Sequence, residues 1–181
     1  GRALRTVTGG LKGWNGRYEA CIITVSRDEG DDHEPHHFIR HLRPAVLELL
    51  QTADAILHAG DINSQAVVDK LTSFAPLYVV RGNNDKDWAE AIPHDLTVTL
   101  EGVRFYMVHN KKDMPAELTG VDVVVFGHSH KYSEERRGDV LWLNPGSCGP
   151  RRFHQEITLM RAQVSGGSIR VEKILIPHEV S

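Results

Sequence analysis

Apolar positions fall along this chain in short runs of two periods, and the runs end in polar residues of a few types. Residues 21–26 (CIITVS) are β-branched and apolar and predict a buried strand. Residues 27–37 (RDEGDDHEPHH) form a polar loop packed with carboxylates and imidazoles. Over 42–53, Leu42, Val46, Leu49 and Leu50 stand at helical spacing, with Pro44 suited to the first turn. Residues 54–61 predict a short strand ending in Gly60-Asp61. Residues 64–74 predict a helix with Ser64 as N-cap, and 76–85 a strand ending in a polar turn. The stretch 96–110 reads as a hairpin turning at Glu101-Gly102. Residues 121–130 are a continuous apolar strand ending in histidines, and 140–147 are one more strand. Two alternating segments, QEITLMRAQV and SIRVEKILIP, flank Ser-Gly-Gly and predict a C-terminal hairpin. Residues 1–19 hold five glycines and no periodicity, which predicts a poorly ordered leader followed by one domain over 20–181. The order strand–helix–strand–helix–strand, then strands, is that of an α/β domain with a βαβ-like first half.

Composition narrows the function classes. The chain has 181 residues, 25% of them charged, and a net charge of −3, an ordinary globular balance with no nucleic-acid signal. It has no run of 18 apolar residues, so no transmembrane helix is expected, and no signal-peptide pattern. Cys21 and Cys148 are too few for a disulfide framework, and a reducing, cytoplasmic setting is the default expectation. Eleven histidines in so short a chain change the picture, because imidazole is the commonest metal ligand.

The polar ends of the apolar runs are of metal-ligand type: Asp61, Asn83, His109, His128 and His130. Ligands of open α/β sheets bind outside the carboxyl ends of the strands, so these residues are expected to converge. Hard oxygen and imidazole donors without a thiolate suit Mn²⁺, Fe²⁺, Zn²⁺ or Co²⁺. Asp61 is the natural bridge between two ions, and a pair of ions clamps phosphoryl oxygens for in-line displacement. Gly60, Gly82 and Gly127 precede the proposed ligands and allow sharp turns there. Blander readings exist for each residue. Asp61 and Asn83 also suit plain turns, His109 a half-buried position, and His128 with His130 a surface pair. His33, His36, His37 and His41 also read as a solvated loop. His58 is read as structural, His94, His154 and His178 as surface residues, and Trp88 and Trp142 as packing residues. Arg151 and Arg152 are either phosphate contacts or solvated.

In this order the residues resemble the calcineurin-like metallophosphoesterase superfamily, and within it the small bacterial and archaeal phosphodiesterase branch. That pattern is D-x-H, GD, GN-H/C-D/E, H and G-H-x-H. Here GD is 60–61, GNND is 82–85, the lone histidine is His109 and GHSH is 127–130. Asn144-Pro145-Gly146-Ser147 and the segment LRPAVLELLQTADAILHAGD resemble the same branch. The resemblance implies a layered α/β-β/α sandwich of two mixed sheets flanked by helices, with two divalent ions at the strand ends. Mn is the first choice of ion, with Ni, Co, Fe and Zn as alternatives. It implies Asp61 as bridge, Asn83, His109 and His128 on one ion and His130 on the other. Asp85 is implied as an acid behind them that orients a ligand histidine. Asp61, Asn83 and His109 are the implied catalytic residues, around a metal-bound hydroxide that attacks phosphorus.

The D-x-H pattern occurs as Asp31-Asp32-His33, which assigns Asp31 and His33 as ligands with Asp28, His36 and His37 as substitutes. Asn84 stands where large members carry a histidine general acid. Asparagine cannot protonate a leaving group, so Asn84 is assigned to substrate binding and good leaving groups are favoured. Asn110 replaces the glycine usual after the ligand histidine. The implied substrate is a small phosphodiester, with a homo-oligomer left open. The alternative is a catalytically impaired scaffold, as in the retromer subunit that resembles the same branch.

Overall fold

The computed structural model describes residues 6–9, 18–24, 44–62, 64–83, 85–148 and 156–177. The first half is built as the apolar runs dictate. Strand β2 (Tyr18–Ile23) is followed by helix α1 (Pro44–Thr52), β3 (Ala55–His58), helix α2 (Gln65–Thr72) and β4 (Leu77–Val79). β2, β3 and β4 are parallel neighbours, paired Ile22↔Leu57 and Leu57↔Tyr78. β10 (Ile157–Ser165) and β11 (Ser168–Ile176) form the C-terminal hairpin and add to β2 antiparallel, which completes a five-stranded sheet ordered β11-β10-β2-β3-β4.

The second sheet has six strands. β5 (Asp95–Leu100) and β6 (Val103–Val108) form the expected hairpin through Glu101-Gly102, and β7 (Val123–Val125) and β9 (Val140–Pro145) continue parallel to β6. β8 (Tyr132–Arg137) pairs antiparallel with β9 at one edge, and β1 (Thr6–Gly9) pairs parallel with β5 at the other. The leader expected over 1–19 therefore does not hold for its whole length: the backbone of 6–9 is a strand, and β2 opens at Tyr18, three residues before the apolar run.

Period-two alternation assigns the layers. Ala20, Ile22, Leu57, Phe105, Met107, Val123 and Val125 face between the sheets and form the main core. Cys21, Ile23 and Ile56 face outward to Val46 and Leu50 of α1 and Val67 and Leu71 of α2. Both thiols are buried and free, and burial pushes each up to about 12, so neither is a reactive nucleophile. The outer face of the six-stranded sheet, Tyr106, Val108, Val124 and Phe126, is covered by Met114, Leu118 and Val121 of the following loop. Pro44 opens α1 as expected. Ser64 occupies the N-cap of α2, although its side chain makes no capping hydrogen bond.

The mixed sheets matter for the site through one property. β2, β3 and β4 are parallel in one sheet and β6, β7 and β9 are parallel in the other. The residues that follow β3, β4, β6 and β7 are the polar endings singled out in the sequence.

Candidate metal centre

Asp61, His109 and His128 meet where the two sheets face each other. The Asp61 carboxylate lies 3.3 Å from His109 Nε2, and His109 Nε2 lies 3.3 Å from His128 Nδ1. The His109 and His128 rings stand edge to face, 5.3 Å apart at 87°. Asp61 comes from the five-stranded sheet, and both histidines come from the six-stranded one.

The chain holds this arrangement with backbone. Gly127 N–H donates to the His109 carbonyl at 2.9 Å, which extends the β6–β7 ladder and sets the two histidines side by side. His109 Nδ1 lies 2.7 Å from the Ala59 carbonyl, across the two sheets. A carbonyl can only accept, so Nδ1 carries the proton and Nε2 is the atom turned to Asp61 and His128. Asp61 and His128 both have left-handed backbone, φ +57 and +72. Gly60 precedes Asp61 at φ +102, and a Cβ there would lie 2.7 Å from His109 Nδ1. A Cβ on Gly82 would lie 2.1 Å from Asp61 Oδ1. Both glycines are thus required by space, not only by the turn.

Asp85 works on backbone. Its Oδ2 accepts from Gly82 N–H at 2.9 Å and Ile62 N–H at 3.1 Å, clamping the two loops that carry Asn83 and Asp61. Burial lowers the proton affinity of His109, but the Asp61 carboxylate, the Ala59 carbonyl and the more distant Asp85 outweigh it and hold the imidazole above its ordinary value. His58, fully buried at the end of β3, is the reverse. Desolvation, with His109 nearby, brings it down to about 4 against the opposing pull of Asp61. Its Nδ1 accepts from Gly60 N–H at 3.1 Å, so this imidazole sets the turn that presents Asp61. Its Nε2 and the Thr24 hydroxyl are buried without partners.

A cavity of about 450 Å³ opens beside His109, lined among others by Arg81, Asn83, His94, Asp95 and Asp113. Asn83, exposed, and Asp85, buried, share this lining. His130 (φ +59) lines a separate hollow of about 250 Å³ with Tyr132, Glu156 and Lys173. Asp31, His33 and their substitutes Asp28, His36 and His37 lie outside the described residues, as do Asn84, Arg151 and Arg152. Sequence reasoning missed Asp85's grip on two backbones, the turn-setting role of His58, and the pairing of Arg81 with His94. The sequence marked Asp85 as an acid behind the ligands, His58 as structural and the strand end that carries Arg81, but none of these contacts.

The donors fit a divalent ion pairwise. Two ligands each about 2.1 Å from one cation stand roughly 3.0–3.4 Å apart for octahedral to tetrahedral geometry. The 3.3 Å separations of Asp61 with His109 and of His109 with His128 fall in that window. Among the described residues no group of three or more His, Cys, Asp or Glu is disposed to hold an ion.

A model of the calcineurin-like phosphoesterase superfamily domain matches residues 31–167. The chain belongs to this superfamily. A probable metallophosphoesterase of Methanothermobacter thermautotrophicus is 29% identical over 142 residues, covering 72% of this chain and 81% of that protein. A phosphodiesterase of Methanocaldococcus jannaschii is 27% identical over 134 residues, covering 64% and 80%. Among solved structures, Vps29 of Chaetomium thermophilum superposes with a TM-score of 0.67 at 21% identity, over 87% of this chain and 97% of its own. That last likeness is one of fold, and it bears out the expected pair of mixed sheets. The superfamily resemblance read from GD, GNND, His109 and GHSH is likewise borne out. Metallophosphoesterases use divalent ions, which accords with the paired donors of Asp61, His109 and His128. Among the described residues no helix is long and apolar enough to cross a membrane.

Proposed function

We propose that this calcineurin-like domain is a divalent-metal-dependent phosphodiesterase acting on small phosphodiesters where its two sheets meet. One observation carries the reading: a carboxylate of one sheet and two imidazoles of the other come within 3.3 Å of each other in pairs, in space kept open by Gly60 and Gly82. Asp61, Asn83, His109 and His128 would hold the ions, Mn first by resemblance, with His130, Asp31 and His33 as the remaining implied ligands. Two such ions supply positive charge against phosphoryl oxygens and a nucleophile usable at neutral pH. The chain's own part is preorganisation. Ala59 fixes the His109 tautomer, His58 and Asp85 fix the loops that bear Asp61 and Asn83, and the cavity of about 450 Å³ admits a small molecule.

The test is hydrolysis of bis-p-nitrophenyl phosphate by metal-stripped protein with and without Mn²⁺. Turnover should appear with Mn²⁺ and vanish with chelator. His128→Ala and Asp61→Ala should each abolish it in folded protein, and activity retained in both would defeat the assignment. The second reading, a scaffold of the same fold, is supported by the likeness of fold to Vps29. It predicts no turnover from a well-folded wild type.

A further inference from the structure

Arg81 follows β4, and the glycine after it is the one whose Cβ would strike Asp61. Its backbone is pinned, since its N–H donates to the Pro93 carbonyl at 2.8 Å. Its side chain crosses to the other sheet and bonds His94 Nε2, just before β5. Guanidinium can only donate, so His94 Nε2 is the acceptor in this pairing. Both residues line the cavity beside His109.

The choice of partner is informative. Asp85, Asp95 and Asp113 line the same cavity, yet among the described residues Arg81 forms an ion pair with none of them. Asp85 accepts from two backbone amides, and Asp95 accepts from the Tyr106 hydroxyl at 3.0 Å. Arg81 Nε is buried without a hydrogen-bond partner. A buried donor on a permanent cation is normally satisfied. Here a planar fork of five donors is held in place by one imidazole and pairs with none of these carboxylates, one cavity from Asp61 and His109. Such a fork matches the oxygens of a phosphoryl group.

We propose that Arg81, docked on His94, is the anion anchor of this site and binds phosphoryl oxygens of the substrate. The inference rests on the phosphodiesterase reading for its biological meaning, although its first test does not. The oxygens belong either to the scissile phosphodiester or to a second phosphate of the same substrate.

Two measurements decide it. First, inorganic phosphate is titrated into chelator-treated protein and followed by the ring NMR signals of His94. Saturable movement is expected in the wild type and none in Arg81→Gln. Signals that stay still in the wild type, or move equally in Arg81→Gln, overturn the proposal whether or not the protein is an enzyme. Second, KM and kcat are compared for bis-p-nitrophenyl phosphate and for a p-nitrophenyl phosphodiester bearing a terminal phosphate. Arg81→Gln should raise KM roughly 10- to 100-fold, the loss of hydrogen bonds to a charged group. An increase for both substrates assigns the scissile group, and an increase for the second alone assigns a second phosphate. Unchanged KM for both overturns the anchor while leaving the phosphodiesterase reading intact. Arg81→Lys, which keeps the charge but not the fork, should fall between and serves if Arg81→Gln does not fold.

Discussion

At the residue scale the candidate site is defined as much by what is missing as by the side chains that meet there. Gly82 has no side chain because Asp61 occupies the space: its Cβ would lie 2.1 Å from Oδ1 and 2.3 Å from the Asp61 backbone nitrogen. Gly82→Ala should therefore cost about 1–3 kcal/mol by overpacking and lower Mn²⁺-dependent hydrolysis about 100-fold by displacing Asp61. Urea unfolding and bis-p-nitrophenyl phosphate turnover measure the two effects, and a variant with normal activity would show that Asp61 does not act. His58 gives a second residue-level expectation. Its folded value is about 4 against 6.5 unfolded, so it contributes nothing above pH 6.5 and destabilises progressively as pH falls toward 4. At pH 5 the loss is about 2 kcal/mol, because the unfolded chain binds a proton that the folded one refuses. His58→Asn keeps an acceptor for Gly60 N–H but cannot titrate. In chelator, its stability should fall less between pH 7 and 5 than the wild type's by about that amount. Equal losses would mean that His58 is not buried neutral. His109, raised by Asp61, is common to both proteins and cancels in the comparison.

At the scale of elements the strand ends do the positioning, and one side chain ties two of them. Asn144, fully buried in β9, donates to the Gly127 carbonyl and to Ser129 Oγ, each at 3.2 Å, and accepts from Gly146 N–H at 3.0 Å. It thereby holds the turn that carries His128. Asn144→Leu preserves the bulk but leaves the Gly146 amide without its acceptor, for about 1–3 kcal/mol. It should weaken Mn²⁺ binding roughly 10- to 100-fold, as for groups that orient ligands indirectly. Calorimetric titration of Mn²⁺ checks this, with Glu135→Gln on the exposed face of β8 as the variant expected to change neither quantity. These elements also show what could be read in advance. Apolar runs ending in Gly-Asp, Gly-Asn or Gly-His located β3, β4 and β7, and the turn at Glu101-Gly102 located β6. β8 escaped notice: Ser-Glu-Glu-Arg-Arg is an exposed edge, held by its ladder to β9 rather than by burial. β1 escaped because nothing in Thr-Val-Thr-Gly marks a parallel partner ninety residues away. Asp61, His109 and His128 were legible as candidates because each closes an apolar run: His109 directly follows β6, and Asp61 and His128 stand three residues past β3 and β7. Asp85's clamp and Arg81's pairing with His94 were not, since both depend on how loops from different strands, and in Arg81's case different sheets, come into register.

For the whole molecule, the origin of the donors has a thermodynamic consequence. Asp61 and Asn83 hang from the five-stranded sheet, and His109 and His128 from the six-stranded one. Without an ion, the links across that edge include the His109–Ala59 hydrogen bond, the contact of His109 with Asp61, and the bonds of Arg81 to His94 and Pro93. An ion held by both sheets is a cross-link that exists only in the native state, so it must stabilise the fold by mass action. At 100 times Kd, Mn²⁺ should add about 2.7 kcal/mol, which for a chain of this size raises Tm by roughly 5–10 °C. Asp61→Ala and His128→Ala remove donors from opposite sheets, so each alone should abolish most of the rise while leaving the melting point in chelator within a few degrees of the wild type's. A rise that survived one of the two would assign the ion to a single sheet. No rise in the wild type would mean that the edge is closed without metal, which is what the scaffold reading requires.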